Sequence, residues 1–171
     1  GNEAMVHWAT SYFVEPKVIL KWVKHLQELK KNGKLDKDLW ITSSDNFASW
    51  GGGDKAYHKK ELNELIKTVD YVSVHTYPFH DTYYNPSFWT GIPVNESSSN
   101  DERIKDAMTR SSNYAISQFE SVKNYIKNLG INKPIHIGET GWASISSDNY
   151  GQNGTRAADE YKQYLYYSNM I

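Results

Sequence analysis

Two glutamates occupy positions where a carboxylate can do chemistry. In KPIHIGETGWASIS, residues 133–146, Pro134 to Gly138 predicts a short buried strand with Ile135 and Ile137 on one face. Glu139 stands where that strand ends, and Gly141 and Trp142 follow. The chain opens GNEAMVHW, with Glu3 directly after Asn2. A strand running into Gly1 would put Glu3 at a strand end as well. Two carboxylates on one strand-end face are the minimum equipment for cleaving a glycosidic bond. One protonates the leaving oxygen, and the other attacks or stabilises the sugar carbon.

The elements that must position this pair follow from periodicity. EPKVILKWVKHLQELKKNG predicts a helix, opened by Pro16 and stopped by Gly33, with Ile19, Trp22, Val23, Leu26 and Leu29 at helical spacing. LWITSSD, from Leu39, predicts a strand with a polar end. AYHKKELNELIKTV predicts a second helix burying Leu62, Leu65, Ile66 and Val69. DYVSVHTYP predicts a strand in which Val72 and Val74 alternate with Ser73 and His75. A long helix is expected from Asp101 to Gly130, buried through Ile104, Met108, Ala115, Phe119, Val122 and Ile126. The last helix is expected to start near Thr155 as N-cap. Strict helix–strand alternation implies parallel strands, and the three strand ends TSSD, HTYP and GETGW are all polar. An open doubly wound sheet and a (βα)₈ barrel both put functional groups at those ends.

Composition narrows the partner. The chain has 171 residues, enough for one domain spanning 1–171. Its 19 basic and 20 acidic residues leave a net charge of −1, which argues against nucleic acid or an anionic membrane surface. No apolar run approaches the roughly 18 residues of a membrane span. GGGD at 51–54 lacks the Lys-Ser/Thr of a phosphate loop, so nucleotide binding is not expected. Without Cys, disulfides and thiolate chemistry are excluded. The six histidines show no metal-ligand spacing, and no metal or cofactor is expected. Aromatics make up 14% of the chain, and many lie outside the periodic segments, which suits flat amphipathic ligands such as sugar rings.

GNEAM, SSDNF, HTYP and IGETGWAS together resemble the signatures of glycoside hydrolase family 17, in clan A, and most of all bacterial laminarinases, which are endo-β-1,3-glucanases. The resemblance runs the length of the chain. It implies an α/β (βα)₈ barrel, of which the chain would cover the end of strand four to the helix after strand seven. The missing barrel half would then be a partner, on the same parent chain or on another. It implies retaining hydrolysis, with Glu3 as acid/base, kept protonated by burial and nearby negative charge, and Glu139 as nucleophile. Asn2 would bond the sugar 2-hydroxyl, Tyr77 would hold the nucleophile, and Trp142 would wall the catalytic subsite.

Other residues gain readings from their places in the sequence. His75, two before Tyr77, is expected on the same face, in the site. His136, inside a strand, is expected in the core or behind the site. Asp45, Asn46 and Trp50 follow a strand end and are candidates for sugar contact, and His7 and Trp8 for the rim. The long loop after Pro78 offers Phe79, Tyr83, Tyr84 and Trp89 as stacking faces. A β-1,3-glucan substrate implies a secreted, periplasmic or cell-surface setting. The alternatives are a transglycosylase of the same fold, a non-catalytic glucan-binding protein, and a clan A hydrolase of another β-linked glycan.

Overall fold

The computed structural model describes residues 2–78, 99–145 and 158–171. The expected alternation is present. Helix α1 (Pro16–Lys31) leads to strand β1 (Ser44–Asn46), a 3₁₀ turn (Lys55–Tyr57) and helix α2 (Lys60–Thr68). Strand β2 (Val72–Thr76), helix α3 (Asn100–Asn128), strand β3 (Ile135–Thr140) and helix α4 (Glu160–Met170) follow. The strands form one sheet in the order β1-β2-β3, and β1 and β2 run parallel, with Ser44 opposite Ser73 and Asn46 opposite His75. Asn2 adds a parallel bridge to Ser44.

The barrel expectation is overturned. Among the described residues the sheet has three strands and is open, and an open sheet of three strands does not close on itself. β3 is correspondingly exposed: His136, Ile137 and Gly138 face solvent, so the predicted buried strand is an edge. Ile137 is exposed rather than core. His136 is also outside the core, its ring lying over Trp40 and Tyr71 at centroid distances of 6.2 and 5.0 Å.

The chain divides into two compact units. The first comprises Gly1–Thr76 with Gln118–Glu139, and the second Tyr77–Ser117 with Thr140–Ile171. In the first, α1 and α2 pack their apolar stripes on the sheet. Leu20 and Val23 of α1, Leu62, Leu65 and Ile66 of α2, Val72 and Val74 of β2, and Val122 and Ile126 of α3 share one core. Truncating one of the large aliphatic side chains there to Ala would cost about 2–5 kcal/mol. Trp22 keeps helical spacing yet lies on the solvent side of α1. Gly33 and Gly130 end α1 and α3 at φ 70 and 68, a left-handed turn that is cheap only for glycine.

The second unit has its own smaller core of Met108, Ala115, Trp142 and Tyr166. α4 is capped by Asp159, whose carboxylate accepts the Lys162 N–H at 2.8 Å. The expected cap Thr155 lies outside the described residues.

Candidate active site

The site builds on the polar face of β2 in the first unit. Val72 and Val74 enter the core, and Ser73 and His75, pointing the other way, are buried too. A strand buried on both faces normally carries apolar residues on both. Here one face carries a hydroxyl and an imidazole. His75 is 1% exposed. Its Nδ1 lies 3.0 Å from Glu3 Oε1 and 3.6 Å from Glu139 Oε2, and its Nε2 lies 2.6 Å from Ser44 Oγ.

One nitrogen therefore has both predicted carboxylates beside it. The two oxygens can be no further apart than those distances laid end to end, under about 7 Å. Retaining glycosidases need roughly 5–5.5 Å between carboxyl groups and inverting ones about 6.5–9.5 Å. The ceiling applies to one oxygen of each acid and is compatible with both ranges. Both acids keep access to solvent, the Glu3 side chain being 27% exposed and that of Glu139 39%.

Glu3 reaches this position through an uncommon backbone. Its φ is 48, a left-handed conformation unusual for a residue with a Cβ. The main chain on either side is tied down. The Glu3 N–H donates to the Ser44 carbonyl at 3.0 Å, and the Met5 N–H donates to Asp45 Oδ1 at 2.9 Å. The Met5 carbonyl accepts the Tyr57 hydroxyl and, at 3.2 Å, the Ser49 hydroxyl. The Tyr57 oxygen in turn accepts the His7 N–H at 2.8 Å. Strained residues persist where surrounding bonds over-determine them, and these bonds do so here.

Asp45 belongs to this clamp rather than to a sugar-binding surface. It is fully buried and also accepts from Ser43 Oγ at 3.1 Å. Burial pushes its carboxyl up to about 6; the Met5 and Ser43 bonds pull the other way, and the Glu3 charge adds to the rise. Trp50 is likewise corrected. It is 0% exposed and donates its indole N–H to the Ser73 carbonyl at 2.9 Å, so it is core. Trp142, expected at the subsite wall, is 3% exposed in the second unit's core. A Cβ on its neighbour Gly141 would lie 3.5 Å from the ring of Tyr77, which is half-buried in the same unit. Asn2 is exposed at its bridge to β1. Phe79, Tyr83, Tyr84 and Trp89 lie outside the described residues. Trp8 is exposed beside the His7 ring.

Ser44, Ser73, Ser49 and Tyr57 were not expected from the sequence. One signal could have found the first two: ITSSD runs hydroxyls into the start of β1, and YVSVH sets Ser73 between two valines of β2, where a sheet core would take Val or Ile. Glycine at 138 is required by the same hydroxyls, because a Cβ there would lie 2.0 Å from Ser73 Oγ and 3.2 Å from Ser44 Oγ. Among the described residues no group of three or more His, Asp or Glu is arranged to hold a metal ion, and no helix is long and apolar enough to cross a membrane.

No protein-family model matches the chain, and no curated protein matches it. A solved structure does. The crystal structure of an endo-laminarinase from Formosa Hel1_33_131 is similar over 99% of this chain, with 64% sequence identity and a TM-score of 0.93. The match covers 43% of that chain, so the present chain spans less than half the length of the enzyme it resembles.

Proposed function

We propose that this chain carries the catalytic pair of a retaining endo-β-1,3-glucan hydrolase acting on laminarin-type polysaccharide, of the kind grouped in glycoside hydrolase family 17. The observation that carries the reading is His75 Nδ1 lying beside Glu3 and Glu139 at once. The similarity to an endo-laminarinase supplies the substrate class.

In this mechanism a Glu139 oxygen attacks the anomeric carbon while Glu3 protonates the glycosidic oxygen. The shortened glucan leaves, and the sugar is held as an ester of Glu139. Glu3, now ionised, takes a proton from water, the resulting nucleophile attacks the same carbon from the vacated side, and Glu139 is released. Two inversions give net retention. The Nδ1 of His75 engages one oxygen of Glu3, so the other is left to carry the proton toward the substrate. Asn2 is proposed to contact the sugar at the cleaved bond. A polymeric substrate places the work outside the cytoplasm.

The test is reducing-sugar release from laminarin together with the anomeric configuration of the first product by proton NMR. Glu139→Gln should lower turnover by several orders of magnitude while glucan binding persists, and a fluoro-sugar inactivator should label Glu139. An active Glu139→Gln variant, or a product of inverted configuration, would overturn the reading. Longer chains among the products would redirect it to transglycosylation.

A further inference from the structure

Behind the catalytic pair stand two serines that the mechanism above does not use. Ser44 Oγ lies 2.6 Å from His75 Nε2 and 2.9 Å from Ser73 Oγ. Ser73 is 5% exposed, and the room above both hydroxyls exists only because residue 138 is glycine. The three groups form a row: Ser73 hydroxyl, Ser44 hydroxyl, imidazole. Ser44 is bound to the site twice, since its carbonyl also accepts the Glu3 N–H at 3.0 Å. One residue thus registers Glu3 through its backbone and His75 through its side chain.

Each hydroxyl has one proton to give, so the row donates as a unit in one direction or the other. When the ring is neutral, one of its nitrogens donates and the other accepts. If Ser73 donates to Ser44, the Ser44 proton is free to point at Nε2. Nε2 is then the acceptor and Nδ1 bears the hydrogen, which points at Glu3. In the other tautomer Nδ1 presents a lone pair to Glu3. A protonated Glu3 would give its proton to that lone pair, and the proton would be lost to the glycosidic oxygen. Glu3 and Glu139 lie at Nδ1 and Ser44 at Nε2, and the buried carboxyl of Asp45 on the neighbouring strand acts on the ring through its charge.

We propose that Ser44, backed by Ser73, is a positioning residue that holds neutral His75 in the Nδ1–H tautomer and so keeps the catalytic proton on Glu3. The assignment rests on the acid/base role proposed for Glu3. It makes the hydroxyls part of the machinery without their touching substrate.

The experiment reads the His75 ring nitrogens directly. Long-range proton–nitrogen NMR of the ¹⁵N-histidine-labelled protein, at a pH where the ring is neutral, should show Nδ1 protonated and Nε2 unprotonated, with His75→Gln assigning the signals. Ser44→Ala should move both nitrogens toward the opposite tautomer. Its kcat on laminarin should fall about tenfold, the worth of one hydrogen bond, with KM within about twofold of the parent. Ser44→Thr, which keeps the hydroxyl, should restore both. Ser73→Ala, which removes the donor behind Ser44, should shift the nitrogens the same way by less, and serves if Ser44→Ala does not fold. Wild-type signals in the reverse tautomer, or ring nitrogens unmoved by both alanine variants, would overturn the assignment. Expected nitrogen shifts in a protein that leaves laminarin uncut would uphold the positioning of His75 and overturn the glucanase reading instead.

Discussion

Asp45 offers a prediction whose size can be worked from its surroundings. The carboxyl is fully buried and accepts the Met5 N–H at 2.9 Å and the Ser43 hydroxyl at 3.1 Å. Burial raises it from its ordinary 3.8 to about 6. The folded state therefore binds the Asp45 proton more tightly than the unfolded chain does. The stability contributed by that proton is fully present below about pH 3.8 and is lost as pH rises through about 6. Each pH unit of difference is worth about 1.4 kcal/mol, so the total is about 3 kcal/mol. Asp45→Asn keeps an oxygen for Met5, is neutral at every pH, and can donate its amide to Ser43. The variant should match wild type near pH 3.5 and exceed it by up to about 3 kcal/mol at pH 7. Urea denaturation of both proteins at intervals from pH 3.5 to 7.5 measures the difference. A difference that stays flat, or that grows toward acid, would refute the reasoning.

Two further outcomes follow from the same neighbourhood. Glu3 holds φ 48, which costs a residue with a Cβ about 1–2 kcal/mol and glycine nothing, so Glu3→Gly should be more stable than Glu3→Ala by about that amount in denaturant titrations, both being inactive. Gly138→Ala puts a methyl 2.0 Å from Ser73 Oγ, and should destabilise the protein by about 1–3 kcal/mol; in a Ser73→Ala background, where the hydroxyl is gone, the double-mutant cycle should return part of that cost.

The helices and β2 were legible because burial on one face imposes a period, and the period survives in the sequence. Leu62, Leu65 and Ile66 repeat as a helix must, and all three are buried. β1 was legible only at its end. Leu39 to Ser43 precede the strand without being part of it: the Ile41 N–H bonds the Asp70 carboxylate at 2.7 Å, and the Thr42 hydroxyl bonds the Tyr71 carbonyl. Side chains there do what a ladder would, and no periodicity reports that. Glu139 stood out because a carboxylate beside glycine at the end of an apolar segment conflicts with simple burial, and Glu3 because it follows Asn2 at the opening of the chain. Trp50 and Trp142 misled for the complementary reason. A ring close in sequence to a catalytic motif can face either way, and these two face the core. The barrel was expected from a resemblance, and resemblance carries the pattern of a whole domain onto a chain whose described sheet has three strands.

The arrangement of the site explains why its supports are so densely bonded. Glu3 takes a backbone conformation that a helix or strand would forbid, and Asp45 is ionised at neutral pH in a place that disfavours charge. Each would relax if its neighbours allowed it. A relaxed Glu3 would rotate its carboxylate away from Nδ1 of His75, and the two acids would no longer share a nitrogen. Asp45 prevents this by holding Met5, two residues on, while Tyr57 and Ser49 hold the carbonyl of the same residue. The apolar core of α1, α2 and the two valines of β2 can sustain that strain because those side chains take no part in the chemistry and can be packed for stability alone. Replacing Asp45 by an apolar residue would remove the burial cost of a charge and the anchor of Met5 together. The gain in stability would come with a Glu3 free to turn, which is why a buried acid, rather than a valine, fits the second position of β1.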